Sequence, residues 1–545
     1  MLSYNRPLLL AINALSLATV ARCAAFNCSS FGQSVELSSY NATILNSTHY
    51  AVGELNEAGT VNAVPFCEVY ASVGYGTNDT IIFALWLPDE QYSSRFMAVG
   101  NGGQGGVIPY TDMMEELNSG LGFAVAGGNA GHLASDNDAG TGDGLGAPGV
   151  YQPFLHDEDQ VKAWLHNAIS LITPPAKELI RISYGGQPEH SYYRGCSAGG
   201  AQGFSLAEFH PDLFDGVIAG CPANWFTRLI LGFLWNSQQA STNATFLSDS
   251  VLEFIQASVI RECDLIDGVA DNLVENPLAC SFNISSLACT EGSSAGNVTC
   301  LTPDQLSAVR AIYQGPVRSD DPSKSLWPGV ALGSEAGWSL PIVQGLLSYV
   351  FAVPILQNLV YDDLAYDPAT FNWGSDVEVL EERAGGLINS IKTDLSSFRD
   401  RGGKMIVFAG WADPNIAPEW SIQHVEAITQ DTIGPGTTIA ENDFVKLVMV
   451  PGGGHCGANI AKYPYVPAHY GFSTAMVDWI EKGQEPVEGI KSWGPTNGDE
   501  RTRRLCTWPQ GAKLKEGGMS MTGRAILVNK VVFVYSCCGS ICSTW

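Results

Sequence analysis

Gly195-Cys196-Ser197-Ala198-Gly199 is a G-x-S-x-G stretch that directly follows the β-prone run His190-Ser191-Tyr192-Tyr193. A serine hydroxyl is a poor nucleophile until a sharp strand-to-helix turn lifts it out where a base can reach it, and small flanking residues let the backbone make that turn. The stretch reads as such a nucleophile elbow. Residues 200–209 suit a helix, and Phe214-Asp215-Gly216-Val217-Ile218-Ala219-Gly220 reads as the next buried parallel strand. The bare pattern recurs by chance in glycine-rich chains, so this strand, turn, helix, strand context carries the reading.

Outward from the elbow, β-like runs at Val69–Val73, Thr80–Trp86, Phe96–Val99 and Phe123–Ala126 precede a helical spacing from Asp159 to Leu179. Buried strands resume at Lys404–Ala409 and Phe444–Val450, and Thr474–Glu481 reads as a closing helix. Strands alternating with helices predict a mostly parallel sheet, here an α/β-hydrolase fold with a large inserted lid domain. The expected division is a signal peptide at 1–25, a discontinuous catalytic domain at 26–227 and 399–545, and a lid at 228–398. Substrates of open α/β sheets bind beyond the carboxyl ends of the strands, so an insertion leaving just after the elbow would hang over that site. A separate domain with its own role is the competing reading of 228–398.

The chain has 545 residues, 45% of them hydrophobic, which is ordinary for a globular protein. Its 55 Asp and Glu against 28 Lys and Arg give a formal net charge of -27, which repels phosphate backbones and anionic lipid heads, so neither nucleic acid nor membrane is expected as a partner. Arg6, the apolar run Leu8–Val20 and the small residues Ala21, Cys23, Ala24 and Ala25 have the form of a secretory signal. Seven N-x-Ser/Thr sequons follow, at Asn27, Asn41, Asn46, Asn78, Asn243, Asn283 and Asn297. An extracellular, oxidising location is expected, in which the 14 cysteines are mostly paired. The apolar stretch Ile342–Tyr361 is broken by Gln344, Pro354 and Gln357 and reads as a packed helix pair, not a membrane anchor. Nothing in the sequence speaks to oligomeric state.

An elbow serine needs a base and an acid to orient it, in the order Ser, Asp or Glu, His, at the ends of later strands. Asp413, after the strand from Lys404, and His455, in the glycine loop after the strand from Phe444, supply them in that order. For the oxyanion, the backbone N–H of Ala198 and one from Gly100-Asn101-Gly102-Gly103, favouring Gly103, are the candidate donors. Cys196 precedes the serine and Cys456 follows the histidine, so a bond between them would hold the two loops together; pairing of both elsewhere remains open. In the insertion, Asp264, Asp267 and Asp271 share a short turn whose hard oxygens, with the Val269 and Leu273 carbonyls, suit calcium. A solvated acidic turn is the alternative.

Together the Cys196-Ser197 motif, Asp413, the His455-Cys456 pair and the Gly-Asn-Gly-Gly loop resemble the tannase and feruloyl esterase family of secreted α/β-hydrolases, over Cys67 to Gln510. The resemblance implies a serine carboxylic ester hydrolase acting on phenolic or polysaccharide-linked esters. Its expected reaction is release of hydroxycinnamic acids of the ferulic type from plant cell walls through an acyl-enzyme on Ser197, with cleavage of galloyl esters as the alternative. It also implies structural calcium on Asp264, Asp267, Val269, Asp271 and Leu273, and disulfides Cys196–Cys456, Cys28–Cys67, Cys263–Cys280 and Cys289–Cys300. A calcium-dependent cell-wall binding protein on an inactive hydrolase fold is the rival outside the enzymes. The tail departs from the family pattern: Cys506 needs a late partner, Cys537, Cys538 and Cys542 crowd the end, and Cys221 reads as a buried thiol.

Overall fold

The alternation of apolar residues along the strands puts two cores on a single sheet. In the strand Arg95–Val99, Phe96 and Ala98 enter one core while Met97 and Val99 enter the other, the period-two separation that a pleated strand imposes. The computed structural model describes residues 28–31, 35–137, 145–290, 299–457, 467–495, 502–514 and 535–537. The expected signal segment, Asn27, Asn297, Cys538 and Cys542 lie outside them.

Nine strands form the sheet: β1 (Ala42–Tyr50), β2 (Phe66–Tyr75), β3 (Asp79–Pro88), β4 (Arg95–Val99), β5 (Phe123–Gly128), β6 (His190–Cys196), β7 (Gly216–Gly220), β8 (Lys404–Gly410) and β9 (Val445–Val450). Their order is β1-β2-β3-β5-β4-β6-β7-β8-β9. The first three strands and the β3–β5 pair are antiparallel, and every pair from β5 to β9 is parallel. Helices cover both faces, as parallel strands buried on two sides require. Helix α1 (Tyr110–Leu117) and the late helix Phe472–Lys482 cover one face; α2 (Ala168–Tyr184) and α3 (Ala198–Phe209), with Pro418–Thr432, cover the other. This is the α/β-hydrolase arrangement.

Two helical segments run through sequence that local rules would interrupt. Helix α2 continues across Pro174 and Pro175, where Ile169, Ile172, Ala176, Leu179 and Ile180 are all buried against the sheet. Packing of that face outweighs the backbone bonds the prolines forgo. The apolar stretch near Ile342 forms two helical pieces, Ser339–Val343 and residues 348–360, the second passing through Pro354. Among the described residues no helix is long and apolar enough to cross a membrane.

Between β7 and β8 no described residue enters the large sheet. The intervening segment opens with α4 (Phe226–Gln239), two residues before position 228, and α4 packs Leu229, Ile230 and Phe233 into the same core as the sheet. Beyond it, Leu252, Ile255 and Val259 of Asp249–Cys263 meet Leu306, Val309 and Ile312 of Pro303–Gln314 around Trp338 in a third core. Near the C-terminus Thr502–Leu505 closes a three-stranded sheet, Cys506 is disulfide-bonded, and Ala512–Leu514 pairs with Tyr535–Cys537.

The fold has little tolerance at the elbow. A Cβ on Gly195 would stand 2.6 Å from the Gly199 carbonyl oxygen, and one on Gly199 2.9 Å from that of Asn101. Gly195→Val is expected to destabilise the protein by about 1–3 kcal/mol or more through overpacking, read as a lowered urea midpoint.

Candidate active site

Ser197 sits at the tip of β6 with φ 62 and ψ -120, outside the region L-residues ordinarily occupy. Its strained backbone is held from both sides: the Ser197 N–H donates to Gly220 O at 2.9 Å, and its carbonyl accepts from Ala201 N and Ala223 N at 3.1 Å each. Strain of this kind persists only where the surroundings over-determine it. Here the parallel neighbour β7 and the first turn of α3 supply that constraint.

Asp413 and His455 lie on the loops after β8 and β9. Asp413 is buried; its Oδ2 meets His455 Nδ1 at 2.8 Å, and its Oδ1 accepts from the backbone N–H groups of Asn415 at 2.8 Å and Ile416 at 3.1 Å. Both carboxylate oxygens therefore have donors, which fixes the side chain's orientation toward the ring. Burial disfavours charge on His455, but the Asp413 carboxylate and its hydrogen bond prevail and raise the imidazole's pKa, which favours the imidazolium that forms when the ring takes a proton. Ser197 and His455 line one cavity of about 200 Å³, together with Gly103 and Ala198. The Gly103 carbonyl accepts from Trp164 Nε1 at 3.1 Å, and Asn101 anchors the same loop through bonds to the Val107 and Gly128 carbonyls at 2.9 and 2.7 Å.

The cavity's other walls come from the inserted segment and the loop after Asp413: Phe226, Leu229, Phe233, Leu347, Phe351 and Ile416, with Ala223. Among the described residues Asn415 is the one further polar side chain on it. The wall residues were not legible as such, because an apolar helix position reads the same whether it faces a core or a cavity.

Among the described residues four disulfides join described partners, Cys28–Cys67, Cys196–Cys456, Cys263–Cys280 and Cys289–Cys300. Cys196–Cys456 brings together Cα atoms 260 residues apart in sequence to 5.7 Å, and so ties the serine loop to the histidine loop. Beneath it lies Cys221, a buried free thiol at φ 36 whose Sγ accepts from Cys456 N at 3.3 Å. Ligating atoms of Cys221, Asp413 and His455 all lie within 4.8 Å of one another. Burial and the Asp413 charge push the thiol's pKa up, against the hydrogen bond and charge of His455. The sequence offered only a cysteine one residue beyond a buried strand as a signal for this proximity.

The acidic turn of the inserted segment is arranged differently. Asp264 Oδ1 accepts from Asp271 N at 3.1 Å and Leu273 N at 3.2 Å, Asp267 Oδ1 from Val269 N at 2.9 Å, and Arg503 Nη1 donates to Asp271 Oδ2 at 3.2 Å while Nη2 pairs with Glu275. The three aspartates do not gather within 4.8 Å of one another. Burial, and then the charges of Glu275 and Asp271, raise Asp267 to about 6 against the Val269 hydrogen bond, and burial and Asp271 raise Asp264. Like-charged carboxylates therefore share this turn, and the Arg503 guanidinium offsets part of their charge.

A mixed sheet with a serine elbow and a buried Asp–His pair at its strand ends defines an α/β-hydrolase-fold enzyme. The sequence model of the tannase and feruloyl esterase family matches residues 67–525, and the chain belongs to that family of carboxylic ester hydrolases. It is 28% identical over 512 residues to a probable feruloyl esterase B-2 of Aspergillus oryzae, covering 89% of this chain and 91% of that one. A probable feruloyl esterase B-2 of Aspergillus terreus is 29% identical over 532 residues, covering 92% and 95%. Among solved structures, the crystal structure of feruloyl esterase B from Aspergillus oryzae superposes with a TM-score of 0.78 at 26% identity, covering 89% of this chain and 96% of that one.

Two consequences are measurable. Because the folded pKa of His455 lies above its unfolded value near 6.5, the ion pair's contribution to stability is full below that pH and is lost as pH rises through the folded pKa. The stability gap between wild type and Asp413→Asn in urea unfolding is therefore expected to be largest below pH 6.5 and to shrink with rising pH. Replacing Cys196 and Cys456 together by serine is expected to cost about 2–5 kcal/mol in the same assay, since the bond closes a very long loop.

Proposed function

We propose that the chain is a secreted serine esterase that releases hydroxycinnamic acids of the ferulic type from plant cell-wall esters. One observation carries this reading: the elbow serine, the histidine paired to a buried aspartate, and the Gly103 and Ala198 backbone all border one cavity with phenylalanine and leucine walls. Ser197 Oγ attacks the ester carbonyl as His455 Nε2 takes its proton, and Asp413 holds Nδ1–H and stabilises the imidazolium. The N–H groups of Gly103 and Ala198 receive the oxyanion. Collapse breaks the C–O bond; His455 returns the proton to the leaving alcohol, and a water then repeats the cycle on the acyl-enzyme.

The walls favour a cinnamoyl over a galloyl acid. A galloyl ring carries three hydroxyls, and each one buried without a partner costs about 1–3 kcal/mol. Secretion is supported by the N-terminal signal pattern, by the disulfides, and by the exposure of Asn41, Asn46, Asn78, Asn243 and Asn283, the sequon asparagines among the described residues. The calcium turn extends the reading: Asp264, Asp267 and Asp271, with the Val269 and Leu273 carbonyls, would hold Ca2+, whose charge would offset their repulsion and brace the inserted segment.

Purified protein is expected to hydrolyse methyl ferulate and methyl caffeate in preference to methyl gallate, with kcat reduced at least about 10⁴-fold in Ser197→Ala. A gallate preference would make it a tannase, and full activity in the variant would remove Ser197 from the mechanism. Chelation with EGTA is expected to lower the thermal midpoint and added Ca2+ to restore it, with no such response in Asp267→Asn; an EGTA-insensitive wild type would sink the calcium reading.

A further inference from the structure

Four buried amide side chains, Gln104, Gln152, Gln357 and Asn358, join the oxyanion loop to the inserted segment. Gln152 Nε2 donates to Gln104 Oε1 at 2.9 Å, and Gln104 Nε2 donates to the Val350 carbonyl at 3.2 Å. The Gln152 N–H donates to Asn358 Oδ1 at 2.9 Å, and Asn358 Nδ2 donates to Val150 O at 3.1 Å and Pro354 O at 3.0 Å. Gln357 Oε1 accepts from Gly149 N at 2.7 Å. Both ends of the Gln104–Val350 hydrogen bond adjoin residues of the cavity: Gln104 follows Gly103, and Val350 precedes Phe351. A Cβ on Gly103 would stand 3.8 Å from Phe351 Cζ, so the oxyanion loop and the cavity wall face each other directly.

Burying primary amides is costly unless every donor and acceptor finds a partner. Apolar side chains of the same volume would pack this seam without that cost, but they would leave its register free to slide. Directional hydrogen bonds set it. We propose that Gln104 and Gln152 form an amide clamp that fixes the separation between the Gly103 N–H and the Phe351 ring. In this role they are positioning residues, setting the oxyanion donor and the acyl wall as one unit. The inference rests on the esterase reading above.

The test is steady-state hydrolysis of methyl ferulate by the full-length chain, with thermal midpoints measured alongside. Gln104→Leu and Gln152→Leu are each expected to lower kcat about 10- to 100-fold with KM within about threefold of wild type, since a displacement of about 1 Å at an oxyanion donor has effects of this size. Their effects should be non-additive in the Leu/Leu double variant, because either change opens the same clamp. The Gln104→Met/Gln152→Met double variant leaves neither of the two amides orphaned, and is expected to regain most of the thermal midpoint but not kcat. That split separates positioning from packing. Single variants with wild-type kcat below their midpoints, or a Met/Met variant that regains both quantities, would overturn the clamp. A wild type inactive on every ester would instead overturn the esterase reading, and the clamp with it.

Discussion

The tie between Cys196 and Cys456 is the constraint on which the rest of the site's geometry depends. Strand order puts β7 and β8 between the strand that ends in the serine loop and the strand that precedes the histidine loop, so the two loops must arch over two neighbours to meet. A disulfide with its Cα atoms 5.7 Å apart sets the length of that arch. Ser197 and His455 are each one residue away from it, and neither can drift without stretching a covalent bond. The glycines at 453, 195 and 199 are the counterpart, since their backbones pack where side chains would collide.

Around this tie the polar groups are satisfied in layers. Asp413 has donors on both oxygens, Asn101 and Gln202 lock the oxyanion loop to the elbow helix through a bond of 3.0 Å, and Trp164 reaches the Gly103 carbonyl. Each bond removes a degree of freedom from a group that must be in place before a reaction begins, which is the basis of electrostatic preorganisation. The inserted segment contributes the apolar walls, and because α4 belongs to the same core as the sheet, those walls pack with the sheet and not with the outer core around Trp338.

Charge works on two scales. The acidic excess of the whole chain repels polyanions and keeps the protein dispersed. Locally, single carboxylates have defined tasks: Asp413 raises one imidazole, Glu116 receives Arg194 and Ser473 in the core, and Asp271 and Glu275 meet Arg503 across the junction of the inserted segment with the C-terminal sheet.

What the sequence by itself determined was local. The elbow, the strands that flank it and the polar loops at the ends of later strands follow from backbone sterics and from a hydrophobic period of two, and these act over fewer than about ten residues. For that reason the fold class was legible in the linear chain, and Ser197, Asp413, His455 and Gly103 could be named there as candidates. Only the tertiary structure decided which apolar side chains of α4 and of residues 347–351 face the cavity, that Cys221 lies under the disulfide beside the imidazole, and that Gln104 meets Gln152 and Val350. It also decided that α2 would run through two prolines, where packing against the sheet overrides local propensity. Such facts depend on the rotation of helices about their axes and on strand order, which are set by contacts between residues hundreds of positions apart; no pattern within a short window carries them.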